Sequence, residues 1–196
     1  MVGMMYPPLF ILRHGQTVWN AEHRVQGRLD SPLTPLGREH AEMQNAILRG
    51  ENVEGFSAYS SPQGRAFHTA SNALTGIVSE IETDVRLKEI GVGEWEGLYR
   101  KDLSNDLPVD ESEESALELY NRAPGGEGFS ALRDRCENFL AELTKPAILV
   151  THGVTSRMLR LVLLNKKTSE IGQLPGGQGV VFHVDNGIHT KLTLRA

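Results

Sequence analysis

The stretch Phe10, Ile11, Leu12, Arg13, His14, Gly15, Gln16, Thr17 carries an apolar run straight into an arginine, a histidine and a glycine. Four apolar residues of this kind, beginning at Leu9, read as a buried strand. In open α/β sheets ligands collect at the carboxyl ends of such strands, where the chain turns and backbone N–H groups become free. The pattern returns at Ala147, Ile148, Leu149, Val150, Thr151, His152, Gly153, so two strands are expected to deliver a His-Gly pair. Further apolar runs at 56–60 and 180–184 read as strands, with Ile81 to Val85 a weaker candidate.

Helical patterns fill the intervals. Thr34, Pro35 and Leu36 give a side-chain cap followed by proline in the first turn, and Ala41, Ile47 and Leu48 continue the apolar face to Gly50. Ser61 and Pro62 repeat that signature ahead of Ala66, Thr69, Ala70 and Leu74. Strand and helix in alternation predict an α/β fold, a doubly wound, mostly parallel sheet with helices on both faces. Asp185, Asn186 and Gly187 read as a hairpin turn that adds an antiparallel edge strand over Thr190 to Leu194.

The 196 residues suit one domain spanning 1–196. No segment approaches the roughly 20 apolar residues of a membrane span, and Met1 to Pro8 lacks the basic and apolar regions of a secretion signal. A cytoplasmic location is therefore expected. Cys136, the only cysteine, falls among Leu132, Phe139 and Leu140 at helical spacing and reads as a packing residue. A net charge of −5 argues against broad nucleic-acid binding, while local positive charge in a cleft still admits a small anion.

His14 and His152 stand apart from His23, His40, His68, His183 and His189 because each ends a buried strand and precedes a glycine. Two histidines also raise a metal site, so their neighbours decide. Arg13 adjoins His14, and Arg65 follows the strand at 56–60. Guanidinium groups repel a cation and match an oxyanion with paired hydrogen bonds. Phosphate fits better, and zinc spacings, a Walker loop and a dinucleotide fingerprint are all missing from the sequence. No metal and no cofactor are expected. Phosphate-ester chemistry also needs a proton donor for the leaving oxygen, and Glu89, Glu94 and Glu96 share one glycine-rich turn. Like charge favours the protonated form of a carboxyl beside phosphate, but spacing does not choose among the three.

These residues resemble a known family, the phosphoglycerate mutase-like histidine phosphatases, including small bacterial members that act on α-ribazole phosphate. The resemblance runs from about Leu9 to Leu164 through LRHGQTVWN at 12–20, GRLDSPLTPLG at 27–37, SSPQGRAFHTA at 60–70, LKEIGVGEWEG at 87–97 and VTHG at 150–153. It implies a three-layer α/β/α sandwich. It implies that His14 is the nucleophile, that Arg13, Arg65 and His152 hold the phosphoryl oxygens, and that Glu89 is the proton donor. Asn20 matches a polar contact of the family pocket, with Gln16 and Thr17 as rim or orienting groups and Gly153 beside them. The implied activity is metal-independent hydrolysis of small phosphomonoesters through a phosphohistidine.

The family also contains cofactor-dependent mutases, which are typically longer and carry a basic patch where this chain has an insertion at about 98–128. Here that segment is expected to form a lid and is acidic, with Asp106, Asp110, Glu111, Glu113, Glu114 and Glu118 against Arg100, Lys101 and Arg122. Like charge disfavours a polyanion, which favours a phosphatase over a mutase. A noncatalytic phosphate-binding module is the third reading. Gly128 stands where many relatives have serine or threonine, which leaves the substrate unnamed. The expected partner is a small phosphorylated metabolite. Neither nucleic acid nor a membrane is expected, and a homodimer is admitted because the sequence does not set the oligomeric state.

Overall fold

The computed structural model describes residues 6–103 and 117–194. Its centre is β1, Leu9–Arg13, buried at every position. β1 pairs in parallel with β4, Ala147–Thr151, in a register that sets Arg13 opposite Thr151. The two strands therefore end side by side, which brings both His-Gly pairs to one place. β2, Ser57–Ser60, lies parallel on the far side of β4, and the short β3, Glu82–Thr83, extends that edge.

On the other side of β1 the sheet reverses. β5, Val181–Asp185, runs antiparallel to β1, and β6, Ile188–Leu192, runs antiparallel to β5, giving the order β3-β2-β4-β1-β5-β6. The antiparallel character thus begins one strand before the hairpin that announces it. Asn186 and Gly187 have φ of +48° and +75°, which makes a two-residue turn. The last strand consequently starts at Ile188, two residues earlier than the sequence suggests.

Because side chains alternate across a strand, β1 feeds two cores. Phe10 and Leu12 join Ile148 and Val150 against α2, Pro35–Arg49, and α3, Gly64–Ala73. Leu9 and Ile11 join Leu149 and Phe182 against α4, Gly128–Glu142, and α5, Gly153–Leu163. Each fully buried side chain of this size contributes about 1.5–3 kcal/mol. The alternation holds the three-layer sandwich together. Cys136 sits in the second core, fully buried, and burial pushes its thiol up to about 12.

Thr34 caps α2 as expected, its Oγ1 accepting from the Gly37 N–H at 3.0 Å. The analogous role expected for Ser61 is not what the structure shows. α3 starts at Gly64 with Gln63 at its cap and no side-chain capping bond, and Ser61 instead faces His152. α2 also presses on the strand tip. A Cβ on Gly15 would lie 2.0 Å from the Gly37 carbonyl oxygen, and one on Gly37 would lie 2.0 Å from the Gln16 carbonyl oxygen. Only two glycines allow the backbones this close.

Both flanks of the expected lid are packed. Leu103, Leu117 and Leu119 are buried. The middle of that segment, 104–116, which carries Asp106, Asp110, Glu111, Glu113 and Glu114, lies outside the described residues.

Candidate active site

His14 leaves β1 directly into a cleft and is 2% exposed. Its Nδ1 lies 2.7 Å from the Gly15 carbonyl oxygen, and its Nε2 lies 3.3 Å from Arg65 Nε. A carbonyl only accepts and a guanidinium only donates, so the proton sits on Nδ1 and the lone pair on Nε2. Burial, then the charges of Arg65 and Arg13, hold its pKa well below the ordinary imidazole value. The ring is neutral, and its basic nitrogen is the one at Arg65.

Arg65 is itself fixed on every nitrogen. Besides His14, it donates to Gly27 O at 3.0 Å, Leu29 O at 2.7 Å and Asp30 Oδ1 at 3.0 Å. Arg13 comes from the end of β1 and lies against the start of α5, where a Cβ on Gly153 would meet its guanidinium carbon at 3.3 Å. Gly153 thus leaves room for Arg13 against the first turn of the helix.

His152 is fully buried, with its ring centroid 5.2 Å from that of His14. Its Nε2 is 2.8 Å from Ser61 Oγ, and its Nδ1 has no hydrogen-bond partner among the described residues. Burial, then Arg65 and His14, hold its pKa well below the ordinary value.

Structure separates the three glutamates that spacing left together. Glu89 lines the cleft, whereas Glu94 and Glu96 do not. Glu89 Oε1 accepts from Ile90 N at 2.9 Å, Thr155 N at 3.1 Å and Thr155 Oγ1 at 3.0 Å, and Oε2 from Val154 N at 3.2 Å. The turn that presents it is braced by a second motif: Glu127 N donates to Gly91 O at 2.8 Å and Glu127 Oε2 accepts from Gly91 N at 3.1 Å.

Asn20 also lines the cleft. Thr17 and Gln16 stand behind it: Thr17 N donates to Asn20 Oδ1 at 3.0 Å, and Gln16 Oε1 accepts from Thr34 Oγ1 at 2.9 Å. The cleft therefore gathers Arg13, His14, Asn20, Arg65, Glu89 and Gly153, while His152, Thr17 and Gln16 are not on its wall. His23, His40, His68, His183 and His189 are absent from that wall as well. Among the described residues no group of three or more histidine, cysteine, aspartate or glutamate side chains could hold a metal ion. No helix among them is long and apolar enough to cross a membrane.

Sequence reasoning did not bring Arg24, Arg100 and Arg157 to this cleft, yet all three line it. Arg24 stacks over Trp19 and Tyr99 at 5.3 and 4.7 Å, and Arg157 donates to Gly153 O at 3.2 Å. Arg157 lies one turn after Gly153 on α5, a helical spacing that could have found it. The described wall is thus more cationic than the charge count of the insertion implied.

The depressed imidazoles have a consequence for stability. Above about pH 6.5 neither folded nor unfolded chain protonates them, and they contribute nothing to the pH dependence. Below it the unfolded chain takes up protons that folded His14 and His152 refuse, as do His40, whose pKa is also lowered, and His189, lowered to about 4. The folded state then loses up to about 1.4 kcal/mol per pH unit for each such ring. Urea midpoints measured at pH 7.5, 6.5 and 5.5 are expected to fall across the lower interval. A midpoint that is flat or rises there would contradict the buried neutral rings.

The model of the histidine phosphatase superfamily, branch 1, matches residues 9–187, and the chain belongs to that superfamily. Among curated relatives it is 35% identical over 159 residues to a probable phosphoglycerate mutase, GpmB, of Salmonella choleraesuis, covering 74% of this chain and 69% of the relative. Among solved structures it is similar to a mycobacterial glucosyl-3-phosphoglycerate phosphatase in complex with VO3. That match has a TM-score of 0.74 and 28% identity, over 97% of this chain and 99% of the other. A putative α-ribazole-5′-P phosphatase of Escherichia coli shares the fold at a TM-score of 0.74 and 24% identity, over 97% of each chain.

Proposed function

We propose that the protein is a phosphatase that hydrolyses small phosphorylated metabolites through a phosphohistidine on His14, with no metal in the reaction. The observation that carries this reading is the neutral His14 ring, whose lone pair on Nε2 is held at a buried arginine. Arg13 and Arg65 bind the phosphoryl oxygens, and Asn20 adds a neutral donor. With Ser61 Oγ–H donating to its Nε2, His152 carries a proton on the otherwise unpartnered Nδ1 and offers it to the same group.

In the first step Nε2 forms a bond to phosphorus as the ester P–O bond breaks, and Glu89 gives its proton to the departing oxygen. In the second, water attacks phosphorus, Glu89 takes a proton from it, and the P–N bond breaks to release phosphate. Charge is spread over the transferring group in both steps, so positioned guanidinium groups supply most of the stabilisation.

The match to a phosphatase over 97% of the chain supports hydrolysis. A second reading, a phosphoglycerate mutase, is favoured by Arg24, Arg100 and Arg157 on the cleft wall, which suit a substrate with a further anionic group. These arginines also weaken the argument drawn from the acidic insertion.

Purified protein in EDTA is expected to release phosphate from p-nitrophenyl phosphate, with inhibition by vanadate. Faster turnover of carboxylated than of neutral phosphomonoesters would give the extra arginines their role. Isomerisation of 3-phosphoglycerate without phosphate release would replace this reading by the mutase. Vanadate binding without turnover of any ester would leave a noncatalytic module.

A further inference from the structure

The geometry points to Gln178 as a positioning residue that decides which end of the Asn20 amide faces the bound phosphate. This rests on the reading of the cleft as a phosphate site given above.

A carboxamide has two ends of nearly equal shape and opposite polarity, so its orientation must be set by its neighbours. Asn20 Oδ1 accepts from the Thr17 N–H at 3.0 Å and from Gln178 Nε2 at 3.2 Å. A backbone N–H can only donate, so the end of Asn20 that meets it is the oxygen. The NH2 end is then the other one, and Asn20 stands on the cleft wall. Presented to a bound phosphate, that NH2 group donates, whereas a flipped amide would present an oxygen that repels it.

Gln178 cannot itself be flipped. Its Nε2 also lies 3.1 Å from the carbonyl oxygen of His14, which only accepts. One NH2 group thus spends its two hydrogens on two oxygens, one belonging to the nucleophile's own backbone and one to Asn20. No alternative orientation of either amide satisfies all of these partners.

The loop is shaped to bring this side chain in. Gly177 and Gly179 flank Gln178 with φ of +130° and +71°, backbone conformations that L side chains rarely adopt. The strand end is tied to the same loop from another side, where Gln44 Nε2 donates to Arg13 O at 2.9 Å and to Val180 O at 3.1 Å.

The test is calorimetric titration of orthovanadate into wild type, Gln178→Met, Asn20→Ala and the double variant. Methionine keeps the length of glutamine and removes the donor. Losing an oriented hydrogen bond of about 1–2 kcal/mol is expected to weaken vanadate binding about 5- to 30-fold in Gln178→Met. If Gln178 acts through Asn20, the double variant binds no more weakly than Asn20→Ala alone. A packing role would instead multiply the two losses, and wild-type affinity in Gln178→Met would remove any role; either result overturns the inference. Gln178→Glu serves as the second variant. It preserves size but sets an acceptor against two oxygens, and it is expected to bind more weakly than Gln178→Met; equal or tighter binding contradicts the assignment. Wild type that binds neither vanadate nor phosphate would sink both readings. An intact binding cycle in a protein that turns over no ester would sink only the phosphatase.

Discussion

Replacing His14 with alanine is expected to lower phosphatase turnover by about 10⁴-fold or more, equivalent to at least about 5.5 kcal/mol of barrier. A covalent route loses its only acceptor for the phosphoryl group, and the remaining arginines can stabilise charge but cannot form the intermediate. The substitution also strips Arg65 Nε–H of its acceptor in a site that is nearly closed to water. Vanadate affinity should therefore be measured beside turnover, so that damage to binding is separated from loss of the nucleophile. Rapid quenching of wild type with labelled substrate should trap acid-labile phosphate on His14, and His14→Ala should trap none. Residual activity within tenfold of wild type would end the nucleophile assignment.

Glu89→Gln is expected to slow hydrolysis of an alkyl phosphate by about 10²- to 10⁴-fold, and of p-nitrophenyl phosphate by much less. The difference arises because nitrophenolate leaves without a proton and an alkoxide does not. Glutamine keeps the shape of the side chain. Its oxygen can still accept from Ile90 and Thr155, but its NH2 group must then face the Val154 N–H, donor against donor. A lower melting temperature is expected for that reason, a structural effect that does not depend on which ester is assayed. Equal rate losses on the two esters would mean that Glu89 holds the site together and does not supply the proton.

What could be read beforehand was the part written in neighbouring residues. An apolar run ending in Arg13, His14 and Gly15 announces both the strand and its reactive tip, and its echo at His152 and Gly153 places a second strand beside it. The hairpin at Asn186 and Gly187 is equally local. The direction of β5 is not local, because it depends on the path from α5 back to the sheet, and no residue within β5 records it. Ser61 shows the same limit: its type suits a helix cap, but the nearby imidazole of His152 takes its hydroxyl. Arg24 reaches the cleft, and Gln178 reaches Asn20 on its wall, from separate loops, each held by partners distant in sequence. Glu89 is set apart from Glu94 and Glu96 by its bonds to Val154 and Thr155, far along the chain, which spacing within the turn does not record. The glycine-rich segments around Gly91 and Gly126 are far apart in sequence, and the bond from Glu94 N to Pro124 O at 3.0 Å that joins them is written in neither.

The contact between Gly15 and Gly37 has a bearing on how such chains are compared. One steric requirement is written at two distant places, so neither glycine carries its meaning alone. A sequence that keeps the histidine and its following glycine but has a larger residue in place of Gly37 must hold its first long helix farther from the strand end. The second glycine then becomes a diagnostic letter, telling whether a shared reactive signature also means a shared loop geometry.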